Sequence, residues 1–371
     1  LKFSATKSTL VYALQIVQKA VSPRNPVPTL SGILFKTGAD QLTVSATDLD
    51  LTIECTVPVT VHEPGNIVLP ARYITELARR LPDVPILIET LTAGSAATIS
   101  YGQSQSNIHG FPADQYPELP ELPEAPALLI SQGKLKEVIR QVIFAASTDE
   151  TRPVFTGALL EIRDGALTLV ATDTHRLAWC RLPVQADEII SIIVPGKTFT
   201  EMLKITGNSE EEDVTVYVSQ SHVFFVTSVM QISSRVIAGK FPPYQQVIPR
   251  EFSTRIKAVT RELLEATERA SLLITEGMPV VHFNLEKDAC VLSVHTEAGW
   301  IREEMDLQVE GEPLQISFNS RYLCDALRAI NSNEVLINMT GPLSAAVIRC
   351  PENTQYLSLL LPAQPKPARS E

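Results

Sequence analysis

An eleven-residue pattern of apolar and charged positions occurs three times along the chain, as ARYITELARRL (71–81), GKTFTEMLKIT (196–206) and SRYLCDALRAI (320–330). The copies superpose without gaps when shifted by about 125 and then about 124 residues. Ile74, Phe199 and Leu323 coincide, as do Leu77, Met202 and Ala326, and Ala78, Leu203 and Leu327. Apolar residues at this spacing share one side of a helix. The charged positions coincide as well: Arg72–Glu76–Arg79, Lys197–Glu201–Lys204 and Arg321–Asp325–Arg328. Each copy therefore predicts a helix with an apolar face and a basic-acidic-basic stripe. Solenoid units repeat every 20–50 residues or so, and a period this long is instead the size of a domain.

The rest of each repeat follows one order. A first amphipathic helix is predicted from Leu10, Leu14, Val17 and Val21, from Leu135, Ile139, Val142 and Ala146, and from Val259, Leu263, Ala266 and Ala270. Lys136 and Arg140 flank the second of these, and Arg261 and Arg269 lie on the third. Strands with period-2 alternation come next, broken by Gly/Asp turns. In them Thr47-Asp48, Thr172-Asp173 and Thr296-Glu297 occupy equivalent places. The stripe helix follows, and then two or three more strands. The joints, PELPELPEAP (117–126) and FPPYQQVIP (241–249), are too rich in proline for a helix or a central strand. The expected fold is α+β: three repeated domains, 1–122, 123–250 and 251–371, each with two helices packed on antiparallel sheets. The tail after Pro362 reads as disordered.

Composition narrows the classes. Hydrophobic content of 44% and charged content of 20% are those of an ordinary globular chain. No apolar run reaches the roughly 18 residues of a membrane span, and LKFSATKSTL lacks the apolar stretch of a secretory signal. The five cysteines are odd in number, scattered and without a CxxC, as in reduced, packed thiols of a cytoplasm. The net charge of −11 disfavours a nucleic-acid binder if only the sum is read. Distribution sets the field, however. Acid gathers in connectors (Glu118, Glu121, Glu124 and Glu210–Asp213), and base is concentrated on the repeated helices. A single stripe of this kind is ordinarily a solvated face whose pairs contribute about 0.2–0.5 kcal/mol each. Three copies in register change that balance.

Enzyme signatures fail. VPGKTF ends like a phosphate loop, but the required first glycine is Ser191. Asp173 and His175 could form an acid/base or ligand pair, yet no second histidine stands nearby. Asp48 fills the Asp173 slot in repeat one, so a turn-capping aspartate is the favoured reading. His175 is unique to repeat two, which makes it a candidate surface-site residue. No G-x-S-x-G, H-E-x-x-H or dinucleotide fingerprint occurs. No metal and no cofactor is expected.

ATDTHRLA (171–178), GKFPPYQQVIP (239–249), KFSATKSTL with VSPRNPVPTLSGILF, and YLSLLLPAQ (356–364) together resemble the β subunit family of bacterial DNA polymerase III, the sliding clamps. The likeness covers essentially the whole chain. It implies that two three-domain subunits meet head to tail in a ring of six similar domains, with helices lining the hole. The DNA-facing set is then Arg24, Arg72, Arg79, Lys136, Arg140, Arg152, Lys197, Lys204, Arg321 and Arg328, with Asp149 in the loop beside Arg152. Lys and Arg attract phosphate without reading bases. Glu76, Glu201 and Asp325 would keep that attraction from becoming a grip.

The likeness also implies a partner-peptide pocket between domains two and three. Its residues are Phe155, Thr172, Thr174, His175, Arg176, Leu177, Pro242, Val247, Leu359, Leu361 and Pro362. Thr174 stands where the family commonly has glycine, and Ala363-Gln364 replaces a larger apolar-basic ending. The dimer seam would use 103–109, with Ile108, against Leu272 and Leu273. Implied partners are duplex DNA, a second copy of the chain, the polymerase III catalytic subunit, the clamp loader, repair polymerases, mismatch-repair proteins and ligase. The implied function is a non-enzymatic, cytoplasmic processivity factor. Two rivals remain from the residues alone: a monomeric scaffold that never closes, and an enzyme with a site around Asp173 and His175.

Overall fold

A computed structural model of the chain describes residues 1–22, 27–90, 95–186, 188–274, 279–287 and 289–363. Arg24 and the tail from Gln364 lie outside these. The helices form where the two periodic patterns predict them. The first helices of the repeats are α1 (Lys7–Val17), α3 (Gln132–Val142) and α5 (Thr260–Ser271), and the stripe helices are α2 (Ala71–Arg80), α4 (Gly196–Ile205) and α6 (Ser320–Ala329). Thr6 caps α1 by accepting from Thr9 N at 3.2 Å. Asn319 caps α6 by accepting from the amides of Arg321 and Tyr322 at 3.0 and 3.3 Å. Both satisfy donors that a helix start leaves without partners. Leu10, Leu14 and Val17 are buried, as are Leu135, Ile139 and Val142, and Leu263, Ala266 and Ala270. Val21 and Ala146 depart from the prediction, since each follows a short 3-10 turn beyond its helix, is extended and is half-buried. Val259 departs as well. It ends the strand Thr254–Val259, is the N-cap residue of α5 and is exposed, so the apolar face of α5 begins a turn later.

Packing divides the chain into two units, Leu1–Lys134 with Lys204–Val236, and Leu135–Leu203 with Ile237–Glu371. The first holds a five-stranded sheet in the order Thr60–Glu63, Lys2–Ala5, Ile86–Thr90, Ala96–Tyr101, Ser104–His109. It also holds an eight-stranded sheet in which Met230–Arg235, from repeat two, pairs antiparallel with Leu51–Pro58, from repeat one. The second unit holds a nine-stranded sheet in which Tyr356–Leu360, from repeat three, pairs with Arg176–Pro183, from repeat two. Its four-stranded sheet runs Gly299–Met305, Ala289–Thr296, Val280–Glu286, Leu314–Asn319.

The two mixed pairings are the same seam twice. Met230 faces Cys55 in one, and Tyr356 faces Cys180 in the other. In each, the last strand of one repeat extends the sheet of the repeat before it. An edge strand has a row of unpaired backbone groups that seek a partner. This is why compact packing does not respect the proline joints: residues 117–126 indeed form neither helix nor strand, yet repeat two gives strands to both units. Cys55, Cys180, Cys290 and Cys324 are buried free thiols, and Cys350 is half-buried.

The first seam carries a half-buried acid. Glu54 accepts from Ser45 Oγ at 3.0 Å and from Gln231 Nε2 at 3.3 Å. Burial pushes its carboxyl above the usual range, against the opposing pull of the Ser45 hydrogen bond and the Lys36 charge. The folded state therefore holds this proton more tightly than the unfolded chain. That contribution is complete below the ordinary glutamate pKa of about 4.3 and is lost as pH rises through the higher folded value. Glu54→Gln removes the cost of the half-buried charge. It is expected to melt a few degrees above the native protein at neutral pH and to converge with it as pH falls toward 4, or about the free carboxylate value. Melting curves across that range check the sign.

Candidate functional site

The stripe helices present their basic residues outward. Arg72, Arg79, Arg140, Lys197, Lys204, Arg321 and Arg328 are exposed, and Lys136 is half-buried. The acids between them are not idle. Glu76 accepts from Arg79 at 3.1 Å and from Arg80 at 3.2 Å. Asp325 accepts from Arg328 at 3.5 Å and from Arg176 at 2.7 Å, and Arg328 also reaches Glu268 at 2.6 Å. Among the described residues Arg72 and Arg321 make no ion pair. The stripe is therefore uneven: its first cation points outward on α2 and α6, while its last is tied to a neighbouring acid. Arg152 is also partly engaged, since it pairs with Asp149 at 3.5 Å and lies over the Phe155 ring at 5.4 Å. Hydrogen bonds from Thr151 hold the Asp149 carboxyl below the usual range, with Arg152 adding to the effect.

Within the second unit the ATDTHR segment makes a tight turn between the strands Ala166–Thr172 and Arg176–Pro183. Asp173 Oδ1 accepts from His175 N and Arg176 N, both at 2.9 Å. Thr172 Oγ1 donates to Arg176 O at 2.7 Å and accepts from Thr174 N at 3.2 Å. Repeat one builds the same turn: Asp48 Oδ1 accepts from Asp50 N and Leu51 N at 3.1 and 2.8 Å, and Leu49 N donates to Thr47 Oγ1 at 3.0 Å. Thr and Asp are thus requirements of the turn. Its third residue pays in strain, with φ of 78° at Thr174 and 82° at Leu49. A β-branched residue in that region is a true outlier. Thr174→Gly relieves strain of about 1–3 kcal/mol and loses about 0.5–1 kcal/mol to the freer unfolded chain, leaving a net gain of about 1 kcal/mol. A shift of the urea midpoint upward checks it.

Beside the turn lies a cleft of about 320 Å³. Phe155, Thr172, Thr174, Arg176, Leu177, Pro242, Val247, Leu359 and Leu361 line it, together with Pro243, Tyr244 and Gln246. These last three were not singled out by sequence, although they sit in the same proline-rich joint. The short 3-10 turn Tyr244–Val247 brings them round. His175 and Pro362 are not among the lining residues. His175 instead contributes its backbone, its carbonyl accepting from Leu361 N at 2.9 Å. Leu177, Leu359 and Tyr244 belong to a buried cluster with Leu159, Val170, Ile193 and Phe241, so the floor of the cleft is core and its rim is exposed.

The remaining predicted residues lie elsewhere. Ile108 and Leu273 are half-buried, while Leu272 is 76% exposed. Among the described residues no group of His, Cys, Asp and Glu could hold a metal ion, and no helix is long and apolar enough to cross a membrane.

Comparison with known proteins identifies the family. Residues 1–120, 129–243 and 245–364 match, in turn, the families described as the N-terminal, central and C-terminal domains of the DNA polymerase III beta subunit. The chain is 34% identical to the beta sliding clamp of Bacillus subtilis (strain 168), covering 98% of this chain and 100% of that protein. It is 33% identical to the beta sliding clamp of Staphylococcus aureus (strain Mu50), over 98% and 99% of the two chains. The crystal structure of the Bacillus subtilis DNA polymerase sliding clamp superposes with a TM-score of 0.95 at 34% identity, covering 98% and 99%. That of the DNA polymerase III beta subunit from Thermotoga maritima does so at 0.91 and 28% identity, covering 98% and 100%. With all three domain families matched in order and full-length relatives above 30% identity, the chain belongs to the bacterial DNA polymerase III beta subunit family, the sliding clamps that act as processivity factors in DNA replication.

Proposed function

We propose that two copies of the chain close head to tail into a ring around duplex DNA, and that the seam pattern carries this reading. In two seams the last strand of one repeat pairs with the same strand of the repeat before it. By that rule the last strand of repeat one, Ser104–His109, should pair with the strand of repeat three equivalent to Leu51–Pro58 and Arg176–Pro183, which is Gly299–Met305. Both are edge strands. A second copy supplies each edge with its partner, and twofold closure leaves none over. Leu272, exposed beyond α5, and Ile108 would be covered in that seam.

In this ring the three domains, taken as 1–122, 123–250 and 251–371, turn their stripe helices to the hole. Arg72, Lys197 and Arg321 face phosphate there, with Lys136, Arg140, Lys204, the partly paired Arg79, Arg152 and Arg328, and Arg24 completing the set. Attraction without base contacts leaves the ring free to slide. The cleft takes short extended peptides with apolar anchors from the polymerase, the clamp loader, repair polymerases, mismatch-repair proteins and ligase. The chain acts in the cytoplasm and catalyses no reaction of its own.

The test is retention by topology. Rings loaded on nicked circular DNA should stay, and rings on linear DNA of equal length should run off the ends. Equal retention on the two sinks the closed ring. Leu272→Asp should bring the solution mass down to that of one 40.7 kDa chain and abolish retention on circles. A native mass already at that value favours the scaffold that never closes.

A further inference from the structure

Among the described residues Arg176 is the one charged residue lining the cleft. An arginine in such a place ordinarily recruits a carboxylate, because its planar fork matches one. Here two of its three nitrogens already hold carboxylates. Its Nε donates to Asp173 Oδ2 at 3.0 Å, and its Nη1 donates to Asp325 Oδ2, on α6, at 2.7 Å. Two rings lie against it as well, with the guanidinium carbon 4.3 Å from the Tyr322 ring centre and 5.6 Å from that of Phe144. The side chain is only 12% exposed. Two carboxylates face this one guanidinium, and Asp325 is shared with Arg328, so the wall offers an entering group no surplus positive charge. The turn itself does not demand the arginine, since repeat one has the buried Leu51 in the same slot.

Resting on the pocket reading above, we propose that Asp325 sets the charge selectivity of the cleft by occupying Arg176, so that the cleft accepts peptides whose residue at this wall is neutral and gives no advantage to an acidic one. A third carboxylate entering here meets a guanidinium already balanced by two acids, so it gains little over a neutral group. The neighbouring groups of the cleft, Thr172, Thr174 and Gln246, offer neutral hydrogen-bond partners instead. Asp325 is a positioning residue in this scheme. It sits on the stripe helix, and its other oxygen is shared with Arg328 at 3.5 Å. Its charge is therefore divided between Arg176 of the turn and Arg328 of its own stripe.

Removing that charge should invert the selectivity. The probes are paired synthetic peptides with leucine and phenylalanine anchors, carrying either Asn or Asp at each polar position in turn. Their affinities for the full-length protein are read by fluorescence anisotropy. For the native protein no Asp peptide should bind tighter than its Asn twin by more than about twofold. In Asp325→Ala the Asp peptide should gain about three- to tenfold over its twin at one position, more so at low salt. Asp325→Asn, which keeps the side chain's shape, should move the ratio the same way. The inference is overturned if the native protein already prefers an Asp peptide by more than about threefold. It is equally overturned if the ratio is unchanged in both variants, or if both peptides weaken alike. Failure of the Asn peptides to bind the native protein at all overturns the pocket reading itself.

Discussion

Replacing Arg72, Lys197 and Arg321 together with glutamate should slow loading onto nicked circular DNA by more than about tenfold at moderate salt and weaken the loaded ring. The effect comes from charge at the surface, not from the fold. All three residues are exposed at the second position of their helices, one step from the N-terminus and off the apolar face. Their reversal should leave the dimer mass unchanged, and reversal of Arg72 and Arg321 alone, which make no ion pair among the described residues, should leave the melting temperature unchanged. Each cation that met a phosphate should take about one unit from the slope of log affinity against log salt. The last cations of the stripes make the comparison. Arg79 and Arg328 are paired with Glu76 and Glu268. Their reversal should do less to loading, and should cost some stability as well, of the order of 0.2–1 kcal/mol per exposed pair. If the triple variant loads at the native rate and stays as long on circles, the stripe is merely a solvated face inherited by duplication.

What could be read along the chain was whatever a local period encodes. The helices fall at the predicted places because their apolar positions recur at 3.6 residues and bury on a sheet, as Ile74, Phe199 and Leu323 do. Asp48 and Asp173 are the turn-capping residues that the repeat required. The seams were not legible in this way. Nothing near Met230 says that it will face Cys55, because strand pairing across so many residues has no local signature. Repeat spacing and proline content pointed to three domains, and backbone pairing joined them into two compact units. The acids of the stripe show the same limit. Asp325 reads on its helix as an exposed counter-charge, and only the packed turn of repeat two reveals that Arg176 claims it. His175 was placed in the cleft by family likeness, whereas the turn uses its carbonyl to hold Leu361.

The same division between core and rim fixes which cleft residues should matter for binding. Val247 and Leu361 are 56% and 42% exposed, yet both line the cleft. Apolar groups left in water beside a preformed hollow are what a peptide's leucine or phenylalanine can cover. Val247→Ala removes two carbons and Leu361→Ala three, and one or two of these covered by the peptide at about 0.8 kcal/mol apiece should weaken binding by about four- to fifteenfold in each variant. Neither should alter the melting temperature, the dimer mass or retention on circles. Leu177→Ala is the contrast. Leu177 is buried in the cluster under the cleft, so its truncation should cost about 2–5 kcal/mol of folding stability. His175→Ala, whose ring lines nothing in the cleft, should bind peptide within about twofold of native. Were the histidine the centre of an enzyme, its removal would instead abolish turnover of some substrate. Should Val247→Ala and Leu361→Ala bind as the native protein does, the cleft is a surface irregularity, and partners must dock elsewhere on the ring.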